Sequence, residues 1–304
     1  MTKWTAADMP AQTGRAFVVT GTGGLGYEDA LALAKAGAEV IIAGRNTASG
    51  AEAVAQIKAA APCANVRFAM LDLSDLASVR RFCDRLASER DSLDGLINNA
   101  GVMNPPTRME TVDGFELQFG TNYLGHFLLT AGLLPLLKQG KNPRVVTLSS
   151  VAARQGDVQF EDLNFGETYA PMKAYAQSKI ACLMFALELQ KRSEARNWGV
   201  ASLAAHPGVS RTNLLLNTPG GAGAAGIARK LLAFLFQPVW QGALPTLFAA
   251  TAPDAKAGGY YGPDGIGEIR GYPAEARIPA PARNPEVLSR LWAESERLTG
   301  ARFA

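Results

Sequence analysis

Short apolar, β-branched runs alternate along this chain with longer stretches in which apolar residues recur at helical spacing. The runs fall at 16–20, 40–43, 66–71, 95–98, 145–149 and 201–206. Near-continuous apolarity over five or six positions fits strands buried on both faces, the condition of a parallel sheet. The intervening stretches predict helices at about 24–36, 50–60, 75–89, 111–138, 172–196, 240–251 and 285–298. Strand followed by helix, repeated this often, predicts an α/β fold with a doubly wound, mostly parallel sheet, right-handed crossovers and helices on both faces. At 304 residues with no internal repeat, the chain is expected to form a single domain over 1–304.

The alternation breaks at about 208–239. There Asn217-Thr-Pro-Gly-Gly-Ala-Gly-Ala-Ala-Gly226 is followed by the apolar stretch 231–236. A glycine-rich hinge ahead of greasy residues predicts a lid on the substrate side, against the alternative of a surface loop and an ordinary packed helix, with Leu214-Leu-Leu216 and 231–236 facing a lipophilic substrate or a membrane surface, or packing on the domain. From about 258 a turn-rich tail, with Tyr260, Tyr261, Gly262-Pro263 and Gly271-Tyr-Pro273, is expected to lie over the domain.

Composition narrows the function classes. About half the residues are hydrophobic, enough for a sizeable core, and the net charge is only +3 with no block of like charges. Nucleic acid is therefore not an expected partner, since it requires a clustered basic stripe. Cys63, Cys83 and Cys182 are odd in number and lack a Cys-x-x-Cys spacing. They read as buried small apolar residues in a reducing compartment, so a cytoplasmic location is expected. His126 and His206, the two histidines, cannot build a His-rich metal site with cysteines so scattered, and no metal is expected. The first fourteen residues, with Trp4, Asp8 and Pro10, lack the basic-then-apolar pattern of a secretory leader, and no apolar stretch is long enough for a transmembrane segment.

Candidate chemistry begins at the end of the first predicted strand. The run Gly21-Thr-Gly-Gly-Leu-Gly26 opens the first predicted helix. Glycines there allow a tight turn, close approach of backbone to a pyrophosphate and close helix–strand packing, while the helix start offers free N–H groups. Gly21, Thr22, Gly24, Leu25 and Gly26 are thus candidate dinucleotide-binding residues, and the sheet is expected to be Rossmann-like. The second strand ends in Ala43-Gly44-Arg45-Asn46, with no carboxylate for ribose hydroxyls. Arg45 suits a 2′-phosphate, which points to NADP (NADPH), against the alternative of an exposed arginine at a helix start. After the third strand, Asp72-Leu73 is placed beside an adenine, unless Asp72 or Ser74 merely caps the next helix.

Tyr175 and Lys179 lie one helical turn apart on a predicted helix, so the ammonium can stand beside the phenol. A cation favours phenolate, making the pair a tuned acid/base for moving a proton on or off an oxygen. In chain order the glycine turn, Asn98-Asn-Ala-Gly101, Asn122, Ser149-Ser150 and Tyr175-x-x-x-Lys179 resemble the short-chain dehydrogenase/reductase family over roughly residues 14–275. Asn122-Tyr-Leu-Gly-His-Phe-Leu-Leu-Thr130, Tyr175-Ala-Gln-Ser-Lys-Ile-Ala181 and Leu203-Ala-Ala-His-Pro-Gly-Val209 resemble its retinol dehydrogenase-like branch.

That resemblance implies a catalytic tetrad of Asn122, Ser150, Tyr175 and Lys179. Tyr175 would exchange the proton with the substrate oxygen, and Ser150 would stabilise that oxygen's charge, with Ser149 as the competing serine. Lys179 would bind the nicotinamide ribose, and Asn122 would hold a water linking Lys179 to solvent. Asn98 would shape the cofactor pocket, with Asn99, Ala100, Gly101, Pro207, Gly208 and Thr212 as cofactor-binding positions. The expected activity is NADP(H)-dependent interconversion of a small-molecule alcohol with its ketone or aldehyde, the substrate bulky and hydrophobic. The alternative is a non-catalytic dinucleotide-binding sensor on the same fold, and an epimerase or dehydratase would want a larger C-terminal domain. Family members often pair across the helices expected at 111–138 and 172–196, implying a homodimer or homotetramer.

Two departures stand out. The glycine turn is one residue shorter than the family's, and the Ser150-to-Tyr175 spacing carries an insertion, 155–171, whose Phe160, Leu163, Phe165 and Tyr169 are expected to wall an apolar pocket. His126 reads as a hydrogen-bonded packing histidine and His206 as a loop anchor.

Overall fold

The computed structural model describes residues 3–210 and 237–303 of the chain. In chain order the regular elements are β1 (Ala16–Thr20), α1 (Gly24–Lys35), β2 (Glu39–Gly44), α2 (Thr47–Ala60), β3 (Asn65–Met70), α3 (Leu76–Glu89) and β4 (Gly95–Asn98). They continue with α4 (Gly125–Leu137), β5 (Arg144–Leu148), α5 (Pro171–Arg196), β6 (Ala201–Ala205), α6 (Val239–Thr251), β7 (Tyr260–Pro263), β8 (Pro273–Glu275) and α7 (Pro285–Thr299). One sheet of order β3-β2-β1-β4-β5-β6-β7-β8 holds all eight strands, parallel throughout except for the antiparallel β7–β8 pair.

The apolar runs become strands because alternate side chains find a core on each face. Along β1, Ala16 and Val18 join one buried cluster with Ile41, Phe127 and Phe185, whereas Phe17 and Val19 join another with Val40, Leu33 and Ile57. The first cluster sits under α3, α4, α5 and α7, the second under α1, α2 and α6. Full burial of both faces leaves no polar alternation for a strand to keep. Strand order reverses between β1 and β4, so the chain leaves their C-terminal ends in opposite directions and opens a crevice there, where doubly wound sheets bind ligands.

Three expectations are corrected. The helix read over 111–138 begins later: an Asp113-Gly114 turn, with Gly114 at φ +80° and the Phe115 N–H on Thr111 Oγ1 at 3.1 Å, occupies the first positions. A π-helical turn, Phe119–Leu124, then precedes α4. The tail from 258 does not merely lie over the domain, because β7 and β8 extend the sheet beside β6, pairing Ala204 with Tyr260 and Tyr261 with Glu275. Strands of three and four residues rich in Gly and Pro carry almost no apolar signal. Finally, the faces expected for subunit pairing are covered within the chain. Nearly all of α4 and the stretch of α5 from Ala174 to Gln190, apart from Leu187, are buried. α7 brings Trp292 against Phe127 and Phe185 with ring centroids 5.0 and 5.8 Å apart.

Of the three cysteines, all free, Cys83 and Cys182 are buried as expected but Cys63 is exposed. Among the described residues no helix is long and apolar enough to cross a membrane. Most of the expected lid, including Thr212, Leu214-Leu-Leu216 and the stretch 231–236, lies outside the described residues.

Candidate active site

A cleft of about 530 Å³ runs along the C-terminal ends of the strands, from the glycine turn at one end to Tyr175 at the other. Its nucleotide end is built by β1 and the start of α1. Gly21 takes φ +99° and Gly24 φ +56°, conformations that L side chains rarely adopt, so the shortened turn is closed by glycine freedom and needs no residue from the strand. Gly21, Thr22, Gly24 and Leu25 line the cleft, whereas Gly26 lies behind it. A methyl on Gly26 would stand 2.6 Å from the Gly21 carbonyl oxygen and 2.5 Å from Asn99 Nδ2, so this glycine packs the turn onto its neighbours.

The rest of that end follows from β2, β3 and β4. Arg45 is exposed at the cleft wall and has no hydrogen-bond or ion-pair partner among the described residues. Asp72 and Leu73 line the cleft as expected, yet Asp72 Oδ1 already accepts the N–H and hydroxyl of Ser74, at 2.9 and 2.6 Å. The cap of α3 is Asp75, whose side chain accepts from the Ala77 N–H, so neither Asp72 nor Ser74 has that role. Asn99, Ala100 and Gly101 form the adjoining wall. Their turn is fastened to Thr20: Asn99 Nδ2 donates to the Thr20 carbonyl at 2.7 Å, and the N–H groups of Asn99 and Ala100 donate to Thr20 Oγ1 at 2.9 and 3.0 Å.

At the chemical end, α5 presents Tyr175 and Lys179 to the cleft, with the ammonium 6.0 Å from the phenol ring centre. Tyr175 is 7% exposed and makes no hydrogen bond through its hydroxyl among the described residues. Lys179 Nζ donates to the Leu148 carbonyl at 3.1 Å and has no carboxylate partner, leaving two N–H donors for other groups. The two serines divide cleanly. Ser149, 3% exposed, donates its hydroxyl to the Lys179 carbonyl at 2.8 Å. Ser150 Oγ caps a short 3-10 turn, Val151–Gln155, by accepting the Ala152 N–H at 3.2 Å, so its hydroxyl proton stays free to point into the cleft.

Asn122 stands one layer back, outside the cleft lining, in the π-helical turn. Its Oδ1 accepts the Val102 N–H at 2.7 Å, and its Nδ2 donates to the Val102 carbonyl at 2.9 Å and Ser178 Oγ at 3.0 Å. Its side chain therefore fastens the Val102 backbone. A methyl on Gly101 would meet Asn122 Oδ1 at 3.0 Å and Lys179 Nζ at 3.6 Å, which places all three groups together.

Pro207 and Gly208 close the far wall, and Gly208, at φ +59°, is pressed against the Ile269 carbonyl. His206 anchors this corner. It accepts the Gly208 N–H on Nδ1 at 3.2 Å, so its hydrogen is on Nε2 and goes to Glu268 Oε2, 2.8 Å away. Burial lowers the His206 pKa against the opposing pull of Glu268. Burial alone would raise the Glu268 carboxyl, but His206, the Arg277 N–H and Arg154 together hold it down to about 2.

Apolar residues that sequence reasoning did not single out, Val102, Met103, Val151, Ala152, Met172 and Val209, line the same cleft. The signal available was proximity along the chain: Val102 and Met103 follow Gly101, Val151 and Ala152 follow Ser150, Met172 precedes Tyr175 by three residues, and Val209 ends the motif that begins at Leu203. Phe160, Leu163, Phe165 and Tyr169 of the insertion do not line it. The first three pack into the core beneath, and Tyr169 donates its hydroxyl to the Pro105 carbonyl. Among the described residues no group of His, Cys, Asp and Glu can hold a metal ion.

Known proteins share the family pattern and the fold. The short chain dehydrogenase family profile matches residues 15–219. The chain is 42% identical to polyprenol dehydrogenase of Mus musculus over 300 residues, covering 96% of this chain and 86% of that one. It is 39% identical to retinol dehydrogenase 13 of Homo sapiens over 294 residues, covering 94% and 85%. Among solved structures, an uncharacterized protein from Mycobacterium Paratuberculosis superposes with a TM-score of 0.83 at 40% identity, over the whole of both chains. The Pseudomonas aeruginosa RhlG/NADP active-site complex shares the fold, with a TM-score of 0.65 at 23% identity over 82% of this chain and 94% of that one.

Proposed function

This chain belongs to the short-chain dehydrogenase/reductase family, in its retinol dehydrogenase-like branch, and on that premise we propose that it is an NADP(H)-dependent oxidoreductase acting on a hydrophobic alcohol and its ketone or aldehyde. The observation that carries the reading is the meeting of Tyr175, the free hydroxyl proton of Ser150 and Lys179 Nζ at one end of the cleft whose other end is the glycine turn.

The residues present fit a dinucleotide. Gly21, Gly23 and Gly24, with Thr22 between them, form a glycine-rich cradle at the start of α1, whose first-turn N–H groups favour phosphate. Arg45, without a partner at the cleft wall, suits a 2′-phosphate, and no carboxylate ends β2. Asn99 to Gly101 and Pro207-Gly208 would flank the nicotinamide half. When bound, that cofactor supplies or accepts the hydride at the carbonyl carbon.

The chain's own residues manage the oxygen. Tyr175 gives its hydroxyl proton to the substrate oxygen in reduction and takes it back in oxidation. Ser150 donates a hydrogen bond to the same oxygen and keeps its proton, and that bond is strongest when the oxygen carries most charge. Lys179, with two donors left beside its bond to the Leu148 carbonyl, would hold the ribose hydroxyls of the cofactor. The apolar wall of Val102, Met103, Val151, Ala152, Met172 and Val209 excludes water and accepts a lipophilic substrate, in keeping with relatives named polyprenol and retinol dehydrogenases.

The test is loss of the reduced-nicotinamide absorbance with a panel of hydrophobic aldehydes and ketones. Tyr175→Phe is expected to lower kcat about 10²- to 10⁴-fold, the size of a general-acid contribution, with dinucleotide affinity kept. Turnover by Tyr175→Phe equal to wild type would refute the assignment. Dinucleotide binding with no turnover across the panel would favour the sensor reading.

A further inference from the structure

The two ends of the cleft are joined through a buried side chain that the proposed chemistry does not use. At the π-helical turn the Gly125 N–H bonds to the Gly120 carbonyl, five residues back, in place of the α-helical four. The Asn122 carbonyl in this turn receives two side-chain donors, His126 Nδ1 at 2.9 Å and Cys182 Sγ at 3.2 Å. A carbonyl can only accept, so His126 Nδ1 bears a hydrogen.

Burial pushes the His126 pKa down to about 4, with the Asn122 hydrogen bond opposing and the Lys179 charge reinforcing, so the ring is neutral and Nε2 is a bare lone pair. The group facing it is Thr20 Oγ1, 2.9 Å away. If the threonine hydroxyl turned to its other acceptor, the Ile97 carbonyl at 3.2 Å, its oxygen would confront the imidazole lone pair. The hydroxyl therefore donates to Nε2, and both oxygen lone pairs are left for the N–H groups of Asn99 and Ala100. A single arrangement of hydrogens satisfies every group in this chain of bonds.

We propose that His126 is a positioning residue for the reaction. Through Nδ1 it holds the Asn122 turn behind Lys179, and through Nε2 it locks the Thr20 rotor that fixes the Asn99-Ala100 wall of the cofactor cleft. The proposal rests on the dinucleotide reading above. A ring that only filled space would affect both ends alike, whereas a two-ended bridge can be cut one end at a time. Asparagine at this position places an amide donor where Nδ1 stands and stops short of Thr20. Glutamine reaches Thr20 and abandons the Asn122 carbonyl.

The experiment is calorimetric titration with NADPH and steady-state kinetics on wild type, His126→Asn and His126→Gln, each checked for cooperative unfolding. His126→Asn is expected to weaken NADPH binding about five- to tenfold, the size of one lost neutral hydrogen bond, and to keep kcat within about threefold. His126→Gln is expected to do the reverse, lowering kcat about five- to tenfold with binding kept. Equal effects on both quantities in both variants would overturn the proposal. So would ¹⁵N NMR of the ligand-free protein showing an imidazolium or an Nε2–H tautomer at neutral pH. A wild type that binds NADPH and turns over while its variants fail to split sinks the bridge alone. A wild type that binds no dinucleotide sinks the functional reading and, with it, the proposed role, whatever tautomer the ring adopts.

Discussion

Two glycines three residues apart, Gly23 and Gly26, separate the folding role of the turn from its binding role. Gly26 has no room: an added methyl would lie 2.6 Å from the Gly21 carbonyl oxygen, 3.1 Å from the Thr20 carbonyl oxygen and 2.5 Å from Asn99 Nδ2. Two of these are backbone atoms, and the Asn99 amide is held by the Thr20 carbonyl at 2.7 Å, so relief requires the turn to move. Overpacking of this kind costs about 1–3 kcal/mol. At roughly 2–4 °C for each kcal/mol in a large domain, Gly26→Ala should lower the Tm of the ligand-free protein by about 2–12 °C. Gly23 is the opposite case. Its φ of −142° suits any residue, and nothing stands within 4 Å of a methyl placed there, at the wall of the cleft.

Gly23→Ala should therefore leave the ligand-free Tm nearly unchanged and put its methyl where a pyrophosphate approaches the backbone. At an NADPH concentration a hundredfold above Kd, wild type gains about 2.7 kcal/mol. If the methyl weakens binding about tenfold, the gain falls to about 1.4 kcal/mol at the same concentration. Differential scanning fluorimetry of the three proteins, with and without NADPH, reads both effects. A full ligand-induced shift in Gly23→Ala would refute the placement of the phosphates at this turn. An unshifted ligand-free Tm in Gly26→Ala would refute the packing argument.

Three further outcomes are expected. Arg45→Ala should weaken NADPH binding about tenfold or more and NADH binding little, since a charged hydrogen bond contributes about 1.5–3 kcal/mol; equal losses for both cofactors in titration calorimetry would remove Arg45 from the 2′-phosphate. Asp29 is fully buried on α1 with both oxygens unpartnered among the described residues, and burial, aided by Glu28, raises its pKa well above 3.8. Its cost is absent below the unfolded value and grows as pH rises toward the folded one, while only the unfolded chain ionises. Asp29→Asn should thus unfold at higher temperature than wild type at about pH 8, the gap closing by about pH 4, and a gap independent of pH would contradict this. With α4 and most of α5 covered inside the chain, sedimentation equilibrium should show a monomer, and a stable dimer would require pairing through some other surface.

Much of this molecule follows from local rules that a sequence displays directly. Strands buried on both faces must be continuously apolar, so β1, β2 and β4 to β6 are visible as runs, and β1 and β4 end at the residues expected; β3, at the sheet edge, is only half covered. The glycine turn, Arg45 and Ser150 lie at strand ends, which short-range patterns mark, while Tyr175 and Lys179, inside α5, could be named from their one-turn spacing and their place in an ordered set of motifs. What the sequence left open depends on which way neighbouring atoms face. Ser149 and Ser150 are adjacent, but only the tertiary structure turns the first onto the Lys179 carbonyl and leaves the second a proton for the cleft. The sheet extension by β7 beside β6 and the covering of α4 and α5 by α7 arise from contacts between segments distant in sequence. His126 follows the same logic: its tautomer is dictated by a carbonyl one turn away and a hydroxyl 106 residues away, and no local pattern brings those together.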